Sequence, residues 1–150
     1  MHVRKVGDRE YLVVLERDDR VTASLLRFAS DHSVRGGWVS GLGSVRDVEM
    51  GYYDLPRRTY VRRRFAEDME LAGAQGNLAM HGNDPVLHLH GSVSGPELIA
   101  LSGHIFEAKT AVTVEFLVRD FGHRVDRVEV PELGLKLIQP EKAAKKESAP

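Results

Sequence analysis

The chain has 150 residues, 42% of them hydrophobic and 29% charged, enough for one domain with its own apolar core and no need of covalent staples. It contains no cysteine, which excludes a disulfide framework and a thiolate metal site, so any zinc must be held by histidine and carboxylate. The formal net charge of −1 lacks the basic excess from which phosphate-driven nucleic-acid affinity comes.

Met1-His2-Val3-Arg4-Lys5 runs into charge without an apolar stretch, and no segment reads as a membrane span. Together with the lack of cysteine, this gives the expectation of a cytoplasmic protein. Residues 10–16, Glu-Tyr-Leu-Val-Val-Leu-Glu, form a compact run of β-formers and read as a strand. Arg17-Asp18-Asp19-Arg20 interrupts it, and either aspartate is placed to cap a following helix. That helix is predicted over 21–32, where Val21, Leu25, Phe28, Ala29 and His32 recur at helical spacing, and Arg35-Gly36-Gly37 stops it. From Trp38 the pattern turns to strands: Trp38–Val45, Val48–Tyr53, Thr59–Phe65, Met69–Met80, Val86–Val93, Leu98–Phe106 and Ala111–Val118. In the last of these Val112, Val114, Phe116 and Val118 alternate onto one side. Asp54-Leu55-Pro56, His81-Gly82-Asn83-Asp84-Pro85 and Gly95-Pro96 mark the joints, with Asp84 read as a turn residue. Consecutive strands with short turns and one helix predict an α+β domain built on an antiparallel sheet. The domain spans residues 1–139, and the polar tail 140–150 is expected to be disordered.

His88-Leu89-His90 carries the chemistry. On a strand its period of two puts both imidazoles on one face. Ser102-Gly103-His104-Ile105 follows the turn at Gly95-Pro96, so a hairpin would add a third imidazole to that face. Three neutral nitrogen donors with one position left open describe many metal sites, catalytic zinc among them. The same spacing also describes an exposed or hydrogen-bonded histidine pair with no ligand. Two details favour the metal: Val86, Leu87 and Leu89 make the run apolar, so its ring nitrogens need partners, and Gly91 and Gly103 leave room for a close approach. His81 and Glu115 are weaker candidates as additional ligands. His2, His32 and His123 have no evident partners.

Two other features invite chemistry. Gly41-Leu42-Gly43-Ser44 lacks the third glycine of a dinucleotide fingerprint and the Lys-Ser/Thr of a P-loop, and reads as a glycine bulge or tight turn. Arg57, Arg58, Arg62, Arg63 and Arg64, interleaved with Tyr60 and Phe65, could grip phosphates or an anionic small molecule. The favoured reading is a charged edge strand that discourages sheet-to-sheet association. No Ser-His-Asp arrangement or carboxylate pair is supported, and no catalytic residue is assigned.

Ser40-Gly41-Leu42-Gly43-Ser44 after a helix, Gly51-Tyr52-Tyr53-Asp54, a Tyr60–Phe65 segment, Glu70-Leu71, Gly76-Asn77, His88-Leu89-His90 and Gly103-His104 occur in that order. Over about residues 10–120 this set resembles the plants-and-prokaryotes conserved (PPC) domain, in its stand-alone prokaryotic form. The resemblance implies a curved antiparallel sheet with one main helix packed on it, assembled as a homotrimer. It further implies a metal site, with His88, His90 and His104 at the ligand positions of the motif and zinc as the expected ion. Water, a small anion or a substrate group would take the open position. Prokaryotic members are often labelled DNA-binding by kinship with plant proteins that carry an AT-hook. Here no Arg-Gly-Arg-Pro is present, and Arg35-Gly36-Gly37-Trp38 does not replace it. A DNA-binding protein or transcriptional regulator using the arginine patch is therefore the alternative, resting on fold analogy.

Overall fold

A computed structural model describes residues 1–139; the tail 140–150 expected to be disordered lies outside the described residues. Nine strands and one helix follow in the order β1 (His2–Lys5), β2 (Glu10–Glu16), α1 (Val21–Asp31), β3 (Gly37–Asp54), β4 (Thr59–Phe65), β5 (Met69–His81), β6 (Asp84–Ser94), β7 (Ala100–Asp120), β8 (Arg127–Val130) and β9 (Leu135–Ile138). The main sheet is antiparallel in the order β1-β2-β7-β6-β5-β3-β4, and β7 also pairs with β3. That second pairing curls β3, β5, β6 and β7 round on one another. The α+β expectation with a curved sheet holds.

Two long strands replace four shorter predicted ones. Trp38–Val45 and Val48–Tyr53 join into β3, and Leu98–Phe106 and Ala111–Val118 into β7. The joints are register shifts between β3 and β7 rather than turns, and Asp47 absorbs one of them at φ 51°. One consequence reverses an expectation: Val114, Phe116 and Val118 are fully buried, whereas Val112, inside the shift between Thr110 and Val114, faces solvent. The Gly41–Gly43 segment is the bulge its composition suggested, with the β3–β5 register slipping there. Gly43 sits at φ 153°, and a Cβ on it would collide with the Thr113 carbonyl of β7. Asp84 is the first residue of β6, opposite His81, so the turn is narrower than its composition suggested.

Helix α1 lays Val21, Leu25, Phe28 and Ala29 against the inner face of the sheet, in one core with Val13, Leu15, Val39, Leu78, Leu89, Val93, Ile105, Val114 and Phe116. His32 ends the predicted stripe at the exposed C-cap, its ring stacked on Phe28 at 4.7 Å. Neither aspartate caps the helix. Arg20 is the N-cap residue and makes no side-chain capping bond, while Asp19 accepts from the Glu16 backbone N–H and pairs with the N-terminal ammonium at 2.7 Å. The cap comes from across the molecule. Glu107 of β7 accepts hydrogen bonds from the Thr22 and Ala23 N–H groups at 2.8 and 3.3 Å.

The β8–β9 hairpin stands apart as a two-stranded sheet tied to the main one by a parallel bridge from Asp126 to Met80. Tyr53 Oη donates to the Leu133 carbonyl in the turn between its strands.

The Glu107 cap gives a test of this packing. Glu107→Ala should lower stability by about 1–2 kcal/mol, the cost of losing an N-cap acceptor. Urea unfolding followed by circular dichroism reads it, and an unchanged midpoint would contradict the assignment.

Candidate metal centre

Strand alternation decides which side chains can meet. Leu89 and Val93 of β6 are 1% and 0% exposed in the core, so His88, His90 and Ser92 point outward. The β6–β7 register sets His90 opposite His104 and Ser92 opposite Ser102, while the β5–β6 register sets Asn77 opposite His88 and Gln75 opposite His90. Cross-strand partners share a face, so all of these lie on the outer side of the sheet.

The three predicted histidines converge. Their ring centroids are 5.0 Å apart for His88–His90, 5.3 Å for His88–His104 and 5.4 Å for His90–His104. One nitrogen from each ring lies within 4.8 Å of the others. A tetrahedral zinc with Zn–N bonds of about 2.0–2.1 Å requires nitrogens roughly 3.3 Å apart, a small rotamer closure away. His104 supplies a further observation: its Nδ1 is buried without a hydrogen-bond partner. An orphaned ring nitrogen beside two other imidazoles is a donor that a soft-to-borderline cation would satisfy. The donor set therefore fits a divalent metal.

Electrostatics agree with the geometry. Burial, with smaller contributions from His88, His90, Arg62 and Arg127, lowers the His104 pKa to about 4. Burial, then Arg127 and His90, also pushes His88 below its ordinary value. Both rings are neutral at neutral pH and keep a lone pair for a ligand bond.

One side of the site is aromatic. The Tyr60 ring lies 5.1 Å from that of His104, and Phe106 lies 4.6 Å from it. Gly51, opposite His104 on β3, makes room for both; a Cβ there would stand 2.7 Å from Phe106. The Arg62 guanidinium covers the Phe106 ring at 3.6 Å. Burial raises the pKa of the Tyr60 hydroxyl. Beside His90 a cleft of about 500 Å³ opens, lined by Gln75, Ser92 and Ser102 among others, with the two serine hydroxyls 2.7 Å apart.

The two additional candidates fall away. The metal-capable cluster contains neither His81 nor Glu115. His81 Nδ1 instead bonds the Arg127 carbonyl at 3.1 Å and helps seat the β8–β9 hairpin. Glu115 lies opposite Val14 of β2 and Leu42 of β3, in a separate part of the sheet. Gly91 and Gly103 do not open space toward the histidines either, since they alternate to the inner face. Gly91 there leaves room for Ile105, whose Cδ1 would stand 2.5 Å from an added Cβ.

Sequence reasoning missed Arg127. It is 7% exposed and reaches from β8 toward the site, with Nη2 donating to Asn77 Oδ1 at 2.8 Å and Nη1 to the Lys136 carbonyl at 2.7 Å. The available signal was the run Arg127-Val-Glu-Val-Pro-Glu-Leu-Gly-Leu-Lys-Leu-Ile, two alternating segments around Pro131 and Gly134, which describes a hairpin.

The low His104 pKa sets a pH dependence for the metal-free protein. The folded value lies below the unfolded value of about 6.5, so the unfolded chain binds the extra proton in between. Stability is complete above about 6.5 and is lost as pH falls toward about 4. Thermal melts between these limits should show this slope, and His104→Phe should flatten it. An equal slope in the variant would contradict the burial of a neutral imidazole.

Residues 4–122 match the model of the Plants and Prokaryotes Conserved (PCC) domain. Among curated proteins none matches the chain. The fold is similar to that of a candidate DNA-binding protein from Bacteroides thetaiotaomicron, with a TM-score of 0.90, 26% identity, and 94% of this chain and 98% of that one covered. It is also similar to a metal-containing protein from Archaeoglobus fulgidus (TM-score 0.80, 24% identity, 93% and 96% covered). A third similar structure is a plant- and prokaryote-conserved protein from Pyrococcus horikoshii (TM-score 0.82, 21% identity, 94% and 95% covered). With the matched segment taking in the sheet, the helix and all three histidines, the chain belongs to the Plants and Prokaryotes Conserved domain family.

Proposed function

We propose that the protein binds one divalent metal ion, zinc, through His88, His90 and His104, with the fourth position open to water or a small ligand, and that three copies assemble as a homotrimer. The observation that carries the reading is the convergence of three ring nitrogens within 4.8 Å, with Nδ1 of the buried His104 left unpartnered. The metal-containing description of the Archaeoglobus fulgidus protein supports it. Bound there, the ion would polarise a carbonyl or lower the pKa of a water. Among the described residues no carboxylate joins the histidine cluster to serve beside it as a general base.

The trimer rests on the family resemblance and on an exposed apolar face. Trp38 and Leu42 of β3, Leu117 of β7 and Phe121 just beyond it are exposed on the outer side of the sheet. Partner registers run from Leu117 to Ser40, Gln75 and His90, so this face borders the histidines along one row. An apolar face of this kind is suited to burial against another chain. A cytoplasmic location belongs to the same reading; among the described residues no helix is long and apolar enough to cross a membrane.

DNA binding through the arginines is the second reading, favoured by the description of the Bacteroides thetaiotaomicron protein. The structure gives the patch limited free charge. It sits on β4 and the turn before it at the sheet edge, where Arg57, Arg62 and Arg64 pair with Asp54, Glu49 and Asp47 at 2.6, 3.1 and 3.1 Å.

Elemental analysis after purification without chelators should find one zinc per chain, falling at least tenfold in His88→Ala and His104→Ala. Metal-free wild type that takes up no divalent ion would end the proposal. Fluorescence anisotropy with duplex DNA at low salt should show no binding that falls steeply with added salt. Such binding, lost in Arg58→Glu/Arg63→Glu, would promote the second reading.

A further inference from the structure

We propose that the open position beside the three histidines is built for an oxyanion, and that Arg127 selects it. This rests on the metal reading above and adds the charge of the ligand. Neutral imidazoles bring no charge, so a divalent ion held by them keeps both of its positive charges. Arg127 adds another. Both of its hydrogen-bonded partners, the Asn77 side-chain oxygen and the Lys136 carbonyl, are neutral, and its Nε is buried with no partner. None of the ion pairs among the described residues includes it.

A guanidinium this deeply buried is ordinarily matched by a carboxylate, because removing a charge from water is costly unless a counter-charge meets it. Arg127 is held where its charge bears on the histidines. Asn77, which accepts from it, is the cross-strand partner of His88 on the same outer face. With a metal in place the pocket would combine a dication and a buried monocation with no protein anion in the histidine cluster. An oxyanion at the open position completes the charge balance, one oxygen on the ion and its remaining charge in the field of Arg127. The cleft beside His90, with the hydroxyls of Ser92 and Ser102, offers room and hydrogen bonds for the rest of a small acid. Carboxylate and phosphate share this chemistry.

Cobalt(II)-loaded protein reports the open position by its visible spectrum, with acetate and inorganic phosphate as probes. Wild type should bind one or both, and the tighter of the two names the source. Arg127→Met should weaken that binding at least tenfold while retaining one cobalt per chain, and Arg127→Lys should restore most of it. Because Arg127→Met removes the hydrogen bonds that seat the hairpin, Asn77→Asp serves as the second variant. It keeps the bond to Arg127 but neutralises its charge, so anion affinity should fall tenfold although the fold is retained. Cobalt-loaded variants that bind both probes as wild type does would overturn the role of Arg127 and leave the metal site standing. Wild type that takes up no cobalt would remove the reading on which this inference depends.

Discussion

The pairing of β6 with β7 is the constraint from which the site follows. Antiparallel register sets His90 opposite His104, and the two-residue period of β6 carries His88 to the same face. A slip of one residue would turn the rings into the core and Leu89 and Val93 into solvent. What forbids the slip is apolar burial. Leu89, Val93 and Ile105 on the inner side are each worth about 1.5–3 kcal/mol when removed from water. The histidines are thus held in place by residues that never touch them, and Gly91 lets Ile105 fill the space beneath. Metal affinity, on this account, is a product of hydrophobic packing one layer away.

Charge gives the outer face its character. On the edge strand β4 and the turn before it, acidic residues of β3 meet three of the five arginines, which suits a solvated edge that resists strand addition. Around the histidines the balance differs: burial keeps His88 and His104 neutral, and Arg127 reaches toward them by way of Asn77 with only amide and carbonyl partners. Carrying the charge of Arg127 when empty, the site would become more strongly positive on binding a divalent ion, and so would discriminate by charge as well as by shape. The aromatic wall of Tyr60 and Phe106 lowers the local dielectric and strengthens that discrimination.

Much of this was legible in the chain itself. The period-two histidines, the β-rich run from Trp38 and the apolar stripe of α1 are local patterns, and each became the element its spacing implied. The misses share a physical cause, which is distance along the chain. Glu107 caps a helix 85 residues away, and no local rule could set it above Asp18 or Asp19. The joins within β3 and β7 are register shifts that a propensity pattern reads as turns. Arg127 reaches His88 through Asn77, three separate strands that the topology alone brings together. Glycine flanking the ligands suggested open space, but alternation sends that space to the core.

The most direct test of the central claim is X-ray absorption at the zinc edge of the loaded protein. The account predicts a four-coordinate ion at about 2.0 Å from its ligands, with the outer-shell scattering of three imidazole rings. That scattering should drop to two rings when His104 is replaced by alanine. A six-coordinate oxygen shell with no imidazole scattering, or three rings that persist in the His104 variant, would contradict it.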